Sequence, residues 1–301
     1  MAPRRGSDTE SGWLCSCVSG LLQETVGVRS GCEISAGFVE STFMDARPEP
    51  AAETPRPVAV ITGAAVRIGR ALALDLAASG WRVVVHFGRS REQAETIVEE
   101  IRGGSGEAIC VAADLLEPHP AAEKVFAAAE QHFGPVSLLI NNAAIFEGGP
   151  LGSTDSDTWD RLFTINLKAP YVLSERFVQG LGETGTGQII NLADWRGLKT
   201  DPSRLAYSLS KQGLVALTRT LAATLAPRVR VNAVAPGPIL PPPDSTPDLL
   251  AQAAALSPLG RSGGPEDVVA AVGYLLQAEL VTGEVLAVAG GAQLPREPFA
   301  E

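Results

Sequence analysis

Histidine is scarce in this chain. The three present (His86, His119 and His132) are too scattered to suggest a metal cluster, and His-Glu-x-x-His is absent. The Gly-x-Ser-x-Gly spacing occurs at Gly260-Arg-Ser-Gly-Gly264, but no expected strand leads into it, so it is not the nucleophile elbow of a serine hydrolase. Of four cysteines, Cys15, Cys17 and Cys32 lie near the N-terminus and Cys110 stands alone, a pattern that suits reduced thiols better than a disulfide framework. No apolar run reaches the roughly eighteen residues that a membrane span needs, so the expectation is a soluble, cytoplasmic protein without a membrane partner. No long lysine or arginine run occurs, and 24 basic against 34 acidic residues leave a net charge of -10, which argues against nucleic acid as a partner.

What the chain does have is core material, with 45% hydrophobic residues in 301. Residues 1–56 lack sustained periodicity and end in a proline-rich stretch, so they read as a disordered extension. Arg4-Arg5 ahead of Trp13 to Leu22 resembles the start of a signal peptide. Asp8, Glu10 and the broken apolar run oppose that reading, and Met44 is an alternative true start.

From Pro57 short apolar runs alternate with segments of helical spacing. Strands are expected at Val58 to Thr62, Arg82 to Phe87, Ala108 to Ala112, Ser137 to Ile140, Gln188 to Leu192, Val229 to Val234 and Val285 to Val288. Helices are expected at Ile68 to Ser79, Arg91 to Arg102, Ala121 to Phe133, Asp157 to Gln179 with an interruption near Thr164, and Ala206 to Leu225. This alternation predicts a single α/β domain over residues 57–301, a doubly wound seven-stranded parallel sheet of Rossmann type with helices on both faces. Ligands of such sheets bind beyond the carboxyl ends of the strands, so chemistry should follow each strand.

After the first strand comes Thr62-Gly-Ala-Ala-Val-Arg-Ile-Gly69, a glycine turn that leads a helix N-terminus toward a pyrophosphate. Arg67 adds a charge at its mouth. The second strand ends in His86-Phe-Gly-Arg89-Ser90, where an NAD site would carry a carboxylate for the ribose. Arg89 and Ser90 suit a 2′-phosphate instead, which favours NADPH; equally, they can simply cap the next helix. Asp114-Leu115 closes the third strand and Asn141-Asn-Ala-Ala144 the fourth, placed for adenine and ribose. Tyr207 and Lys211 stand four apart, on one face of a helix, where an ammonium would lower a phenol's pKa. The same pair also suits an ordinary amphipathic helix.

Taken together, Thr62-Gly63 to Gly69, Asp114, Asn141-Asn-Ala143, Asn166, Tyr207-x-x-x-Lys211, Asn232, Pro236-Gly237 and Gly290-Gly291 resemble the short-chain dehydrogenase/reductase family over residues 57–294. The resemblance implies an NADP(H)-dependent oxidoreductase with Tyr207 as acid/base, Lys211 on the nicotinamide ribose and Asn166 holding a relay water. It also implies cofactor contacts at Gly63, Arg67, Ile68, Gly69, His86, Asn142, Ala143, Ala144, Pro236, Gly237 and Ile239. Asp194 replaces the usual serine thirteen residues before the tyrosine. With Arg67, His86-x-x-Arg89-Ser90 and Phe146, that replacement resembles the pteridine reductase branch and its dihydromonapterin reductase-like relatives. There Phe146 would stack on a pterin and Asp194 with Tyr207 would supply the proton for C=N reduction; the plainer alternatives are packing for Phe146 and a turn cap for Asp194. Reduction of a ketone or 3-oxoacyl substrate is the runner-up, and a non-catalytic NADP-binding regulator the remote alternative. A substrate lid is expected at about 238–262, rigid at Pro238 to Pro243 and helical in its middle. Ala206, Ser210, Leu214, Leu217 and Leu221 recur at helical spacing and mark a homodimer or homotetramer interface in the family.

Overall fold

The computed structural model describes residues 56–241, 247–255 and 257–294, so the expected extension lies, but for Arg56, outside the described residues. Seven strands form one parallel sheet: β1 (Val58–Ile61), β2 (Arg82–Phe87), β3 (Glu107–Ala112), β4 (Leu138–Asn141), β5 (Gly187–Leu192), β6 (Val229–Pro236) and β7 (Val285–Val288). Their order across the sheet is β3-β2-β1-β4-β5-β6-β7. The order reverses between β1 and β4, which pair through Ala59 with Leu138 and Ile61 with Ile140. A crevice for ligands opens at that reversal.

The helices are α1 (Arg67–Ala78), α2 (Arg91–Gly103), α3 (Pro118–Phe133), α4 (Ser156–Phe163), α5 (Ala169–Gly180), α6 (Leu205–Leu225), α7 (Pro247–Ala255) and α8 (Pro265–Gln277). Because successive strand residues face opposite ways, each strand feeds two cores. Ala59 and Ile61 pack with Leu72 and Leu76 of α1, Ile97 of α2 and Val272 of α8. Val58 and Val60 pack on the other face with Val125 and Phe126 of α3 and Leu173 and Phe177 of α5. Complete burial of each large side chain stabilises by about 1.5–3 kcal/mol, which explains why these short strands need no polar face.

The expected interruption near Thr164 is a π-turn over Thr164–Lys168 between α4 and α5. Helix α8 has no counterpart in the expected elements. Its start is nonetheless built on recognisable chemistry, with Pro265 in the first turn and Asp267 accepting from the Gly264 N–H at 2.8 Å. The segment expected to form a lid carries α7 in its middle, while residues 242–246 and 256 lie outside the described residues. One expectation needs correction. Ala206, Ser210 and Leu214 of the supposed interface stripe are buried within the chain itself, because α6 lays that face on the sheet and the neighbouring π-turn. Apolar surface on α4, α5 and α6 is instead offered by Trp159, Tyr171 and Leu209. Among the described residues no helix is long and apolar enough to cross a membrane.

Candidate active site

The loop after β1 is held by a side-chain clamp from β4. Asn142 Nδ2 donates to the Thr62 and Gly63 carbonyl oxygens at 2.8 and 3.0 Å, while Thr62 Oγ1 accepts from the Asn142 and Ala143 N–H groups at 2.9 and 3.0 Å. Gly63 sits at φ 61°, open to glycine but not to most residues. At Gly69 a Cβ would stand 2.4 Å from the Gly63 carbonyl oxygen and 2.6 Å from Asn142 Nδ2, so only glycine lets α1 approach this closely. Ile68 packs against the core beneath the loop. Ala144 is exposed just past the clamp.

His86, expected as a cofactor contact, does something else. It is buried, its Nδ1 accepts from the Gly63 N–H at 3.1 Å, and its Nε2 therefore carries the proton toward the Ala113 carbonyl oxygen at 3.1 Å. Both ring nitrogens are engaged, so the ring props the loop from below. Burial lowers its pKa from 6.5 to about 4. The unfolded chain therefore binds the extra proton first, and stability present above pH 6.5 falls as pH drops toward about 4, by about 3 kcal/mol. Urea unfolding midpoints should drop across that window for the native chain, and a His86→Gln protein should show a clearly flatter pH dependence; equal slopes would remove His86 from this role.

At the end of β2, Arg89 is exposed and Ser90 precedes α2. The Ser90 hydroxyl makes no capping hydrogen bond, and only its carbonyl oxygen serves the helix, accepting from Ala94 N–H at 3.1 Å. Asp114 closes a turn by accepting from the Leu116 N–H at 2.9 Å, and Leu115 is buried beside it. Pro236 ends β6 at the same edge of the sheet. The following Gly237 donates to the Val288 carbonyl oxygen at 2.9 Å, so close to β7 that a Cβ there would stand 2.5 Å from Ala289 Cα. Ile239 is buried just after Gly237. Arg67 has φ 58°, uncommon for a residue with a side chain, and its Nη2 donates to the Pro241 carbonyl oxygen at 2.8 Å, joining this loop to the segment after β6.

Tyr207 and Lys211 lie on the first turns of α6, both buried. The Tyr207 hydroxyl donates to Asp194 Oδ2 at 3.0 Å. The other carboxylate oxygen of Asp194, Oδ1, accepts from the Arg196 N–H at 2.8 Å, so Asp194 both caps the turn Trp195–Leu198 and reaches the phenol. Lys211 Nζ donates to the Leu192 carbonyl oxygen at 2.8 Å. Burial pulls its pKa down to about 8. The expected lowering of the phenol's pKa is reversed. Burial first, and then the adjacent Asp194 carboxylate, push Tyr207 well above its ordinary value. Burial also raises the Asp194 carboxyl, against the pull of the Arg196 N–H and guanidinium. A neutral serine at that position would exert no such charge.

Asn166, in the π-turn and wholly buried, accepts from the Ile145 N–H at 2.9 Å and donates to the Ile145 carbonyl oxygen and Ser210 Oγ at 3.0 and 3.1 Å. Its side chain thereby fixes the segment that carries Phe146. The Phe146 ring meets the Tyr207 ring edge-on at 4.7 Å between centroids. Two guanidiniums also lie against it, Arg204 at 4.8 Å and Arg196 at 5.5 Å. Arg196 is ion-paired with Asp201 at 2.7 Å. Sequence reading passed over Arg196, Asp201 and Arg204. Their signal is a run of charge between Asp194 and Tyr207, where a loop must separate β5 from α6.

A motif-bearing turn at the sheet's reversal, with a buried Tyr/Lys pair on the helix after β5, defines a dinucleotide-linked oxidoreductase site. The short chain dehydrogenase family matches residues 57–246, and the chain belongs to it. Two structures of FolM alternative dihydrofolate reductase 1, both in complex with NADP, are similar to it. The Brucella suis protein is 37% identical, with TM-score 0.76 over 81% of this chain and 97% of that one. The Brucella canis protein is 36% identical, with TM-score 0.77 over the same shares. The 3-oxoacyl-acyl-carrier-protein reductase FabG of Staphylococcus epidermidis is 34% identical over 77% of this chain and 97% of its own length.

Proposed function

We propose that the chain is an NADPH-dependent reductase of the C=N bond of a pterin or dihydropterin. The observation that carries this reading is the hydrogen bond from Tyr207 to Asp194, a carboxylate with a raised pKa where a ketone reductase would be served by a neutral hydroxyl. The likeness to the FolM structures supports it. The residues fit a phosphorylated dinucleotide. No carboxylate stands at the end of β2, the Ser90 hydroxyl is free of capping duty, and Arg89 has no carboxylate partner among the described residues. Arg67, Arg89 and Ser90 would hold phosphates, and Lys211 the nicotinamide ribose.

When bound, NADPH supplies the hydride; the chain must supply a proton to the ring nitrogen and a place for the ring. Tyr207, kept neutral by its surroundings, delivers the proton at its hydroxyl. Once the phenol has given up its proton the bond to Asp194 reverses: Asp194, whose burial favours the protonated form, donates across the same 3.0 Å to the phenolate oxygen and restores the phenol. Phe146, braced by Asn166 through Ile145, offers an aromatic wall beside that hydroxyl. The protein is further proposed to act as a cytoplasmic homo-oligomer.

Reduction of a 3-oxoacyl or other ketone substrate is the second reading, favoured by the identity to FabG. NADPH oxidation measured against dihydrobiopterin, dihydromonapterin, dihydrofolate and a small ketone panel separates the two. The expected result is kcat/KM for the best pterin at least about tenfold above that for the best ketone. The reverse ranking would establish the second reading.

A further inference from the structure

Three arginines gather at the loop that carries Phe146, and two are neutralised by carboxylates: Arg196 by Asp201 at 2.7 Å and Arg161 by Glu147 at 2.7 Å. Arg204 is not. It has no carboxylate partner among the described residues. Its Nη1 donates to the Gly148 carbonyl oxygen, which anchors the guanidinium, and its Cζ lies 4.8 Å from the Phe146 centroid. Phe146 in turn touches Tyr207, so this guanidinium stands one aromatic ring away from the proton donor. A guanidinium has five N–H donors, and an aromatic face and one carbonyl leave most of them unspent. In a chain of net charge -10, an anionic substrate meets a repulsive field unless a local cation offsets it.

We infer that Arg204 is a specificity-determining residue that pairs with an oxyanion, a carboxylate or phosphate ester, on the part of the substrate remote from the reacting bond. The inference rests on the proposed reductase reading, with the reacting ring beside Phe146 and Tyr207 and a charged tail directed to the loop at Gly148. Its planar fork, pre-oriented by the Phe146 face and the Gly148 carbonyl, suits bidentate pairing at little cost in side-chain order.

The test uses the full-length protein, Arg204→Gln and Arg204→Lys, with NADPH in excess. Dihydrofolate supplies a carboxylate tail, a neutral dihydropterin supplies none, and the phosphate ester of that dihydropterin distinguishes phosphate from carboxylate. A carboxylated ketone and its methyl ester form a second pair that does not depend on pterin turnover. The expected result is a rise of about tenfold in KM for one or both anionic tails in Arg204→Gln. The neutral partner, kcat and the KM for NADPH should stay within about twofold, and Arg204→Lys should restore part of the loss. Equal changes for charged and neutral partners, or none, would overturn the inference. If pterins are not turned over, the ketone reading gains and the acid and ester pair alone decides the role of Arg204.

Discussion

Replacing Tyr207 with phenylalanine should lower kcat/KM for reduction by about 10²–10⁴-fold, the usual contribution of a positioned proton donor. The ring remains, so the edge contact to Phe146 and the burial against Leu162 and Ala206 survive. What disappears is the hydroxyl that donates to Asp194 Oδ2. Affinity for NADPH, followed by cofactor fluorescence, should change little, and thermal unfolding should shift by only a few degrees. Steady-state kinetics with the preferred substrate provide the check. A Tyr207→Phe protein that keeps a tenth or more of native activity would place the proton source elsewhere.

The second large effect is expected at Asp194. Asp194→Ser should reduce dihydropterin turnover by about 10²-fold or more while ketone reduction is retained or improved. The reason lies in charge. With the carboxylate gone, one of the causes that raise the Tyr207 pKa is gone too, and the phenol moves back toward its ordinary range. The proposed relay requires a protonated Asp194, so under that proposal pterin reduction should weaken as pH rises through the raised pKa of that carboxyl. Asp194→Asn is the necessary companion, since its side-chain oxygen can still accept from the Arg196 N–H and keep the turn. If the Asp194→Asn and Asp194→Ser proteins both retain native pterin kinetics across pH, Asp194 is a turn cap and no proton source.

Much of the fold was legible because it depends on local signals. The strand Val58–Ile61 is a short apolar run buried on both faces, and a glycine punctuates the turn that follows it. The positions of Asp194, Tyr207 and Lys211 came from spacing on one helix and the loop ahead of it. Contacts between distant segments were not legible. Nothing in His86-Phe-Gly indicates that the imidazole will bond the Gly63 N–H, because that pairing depends on β1 and β2 lying side by side. On α6, spacing identifies an apolar stripe but not what covers it; Leu214 is buried in the chain and Leu209 is 41% exposed. Helix α8 escaped notice although Val268, Val272 and Leu275 form its buried stripe, for it follows a glycine-rich stretch that reads as loop. The sign of the Tyr207 shift depended on a three-dimensional distance, with Asp194 closer in effect than Lys211.

The Thr62–Asn142 clamp bears on how this protein comes into being. The curve of the first loop is held by partners eighty residues apart, and its prop, His86, lies twenty-three residues beyond Gly63. Closing such separations is an entropic cost met only when the central strands have already assembled. A nascent chain that has made β1 and α1 therefore has a strand and a helix but no nucleotide-shaped turn. The shape of the turn arrives with the fourth strand, as a property of the finished sheet and not of the glycine motif alone.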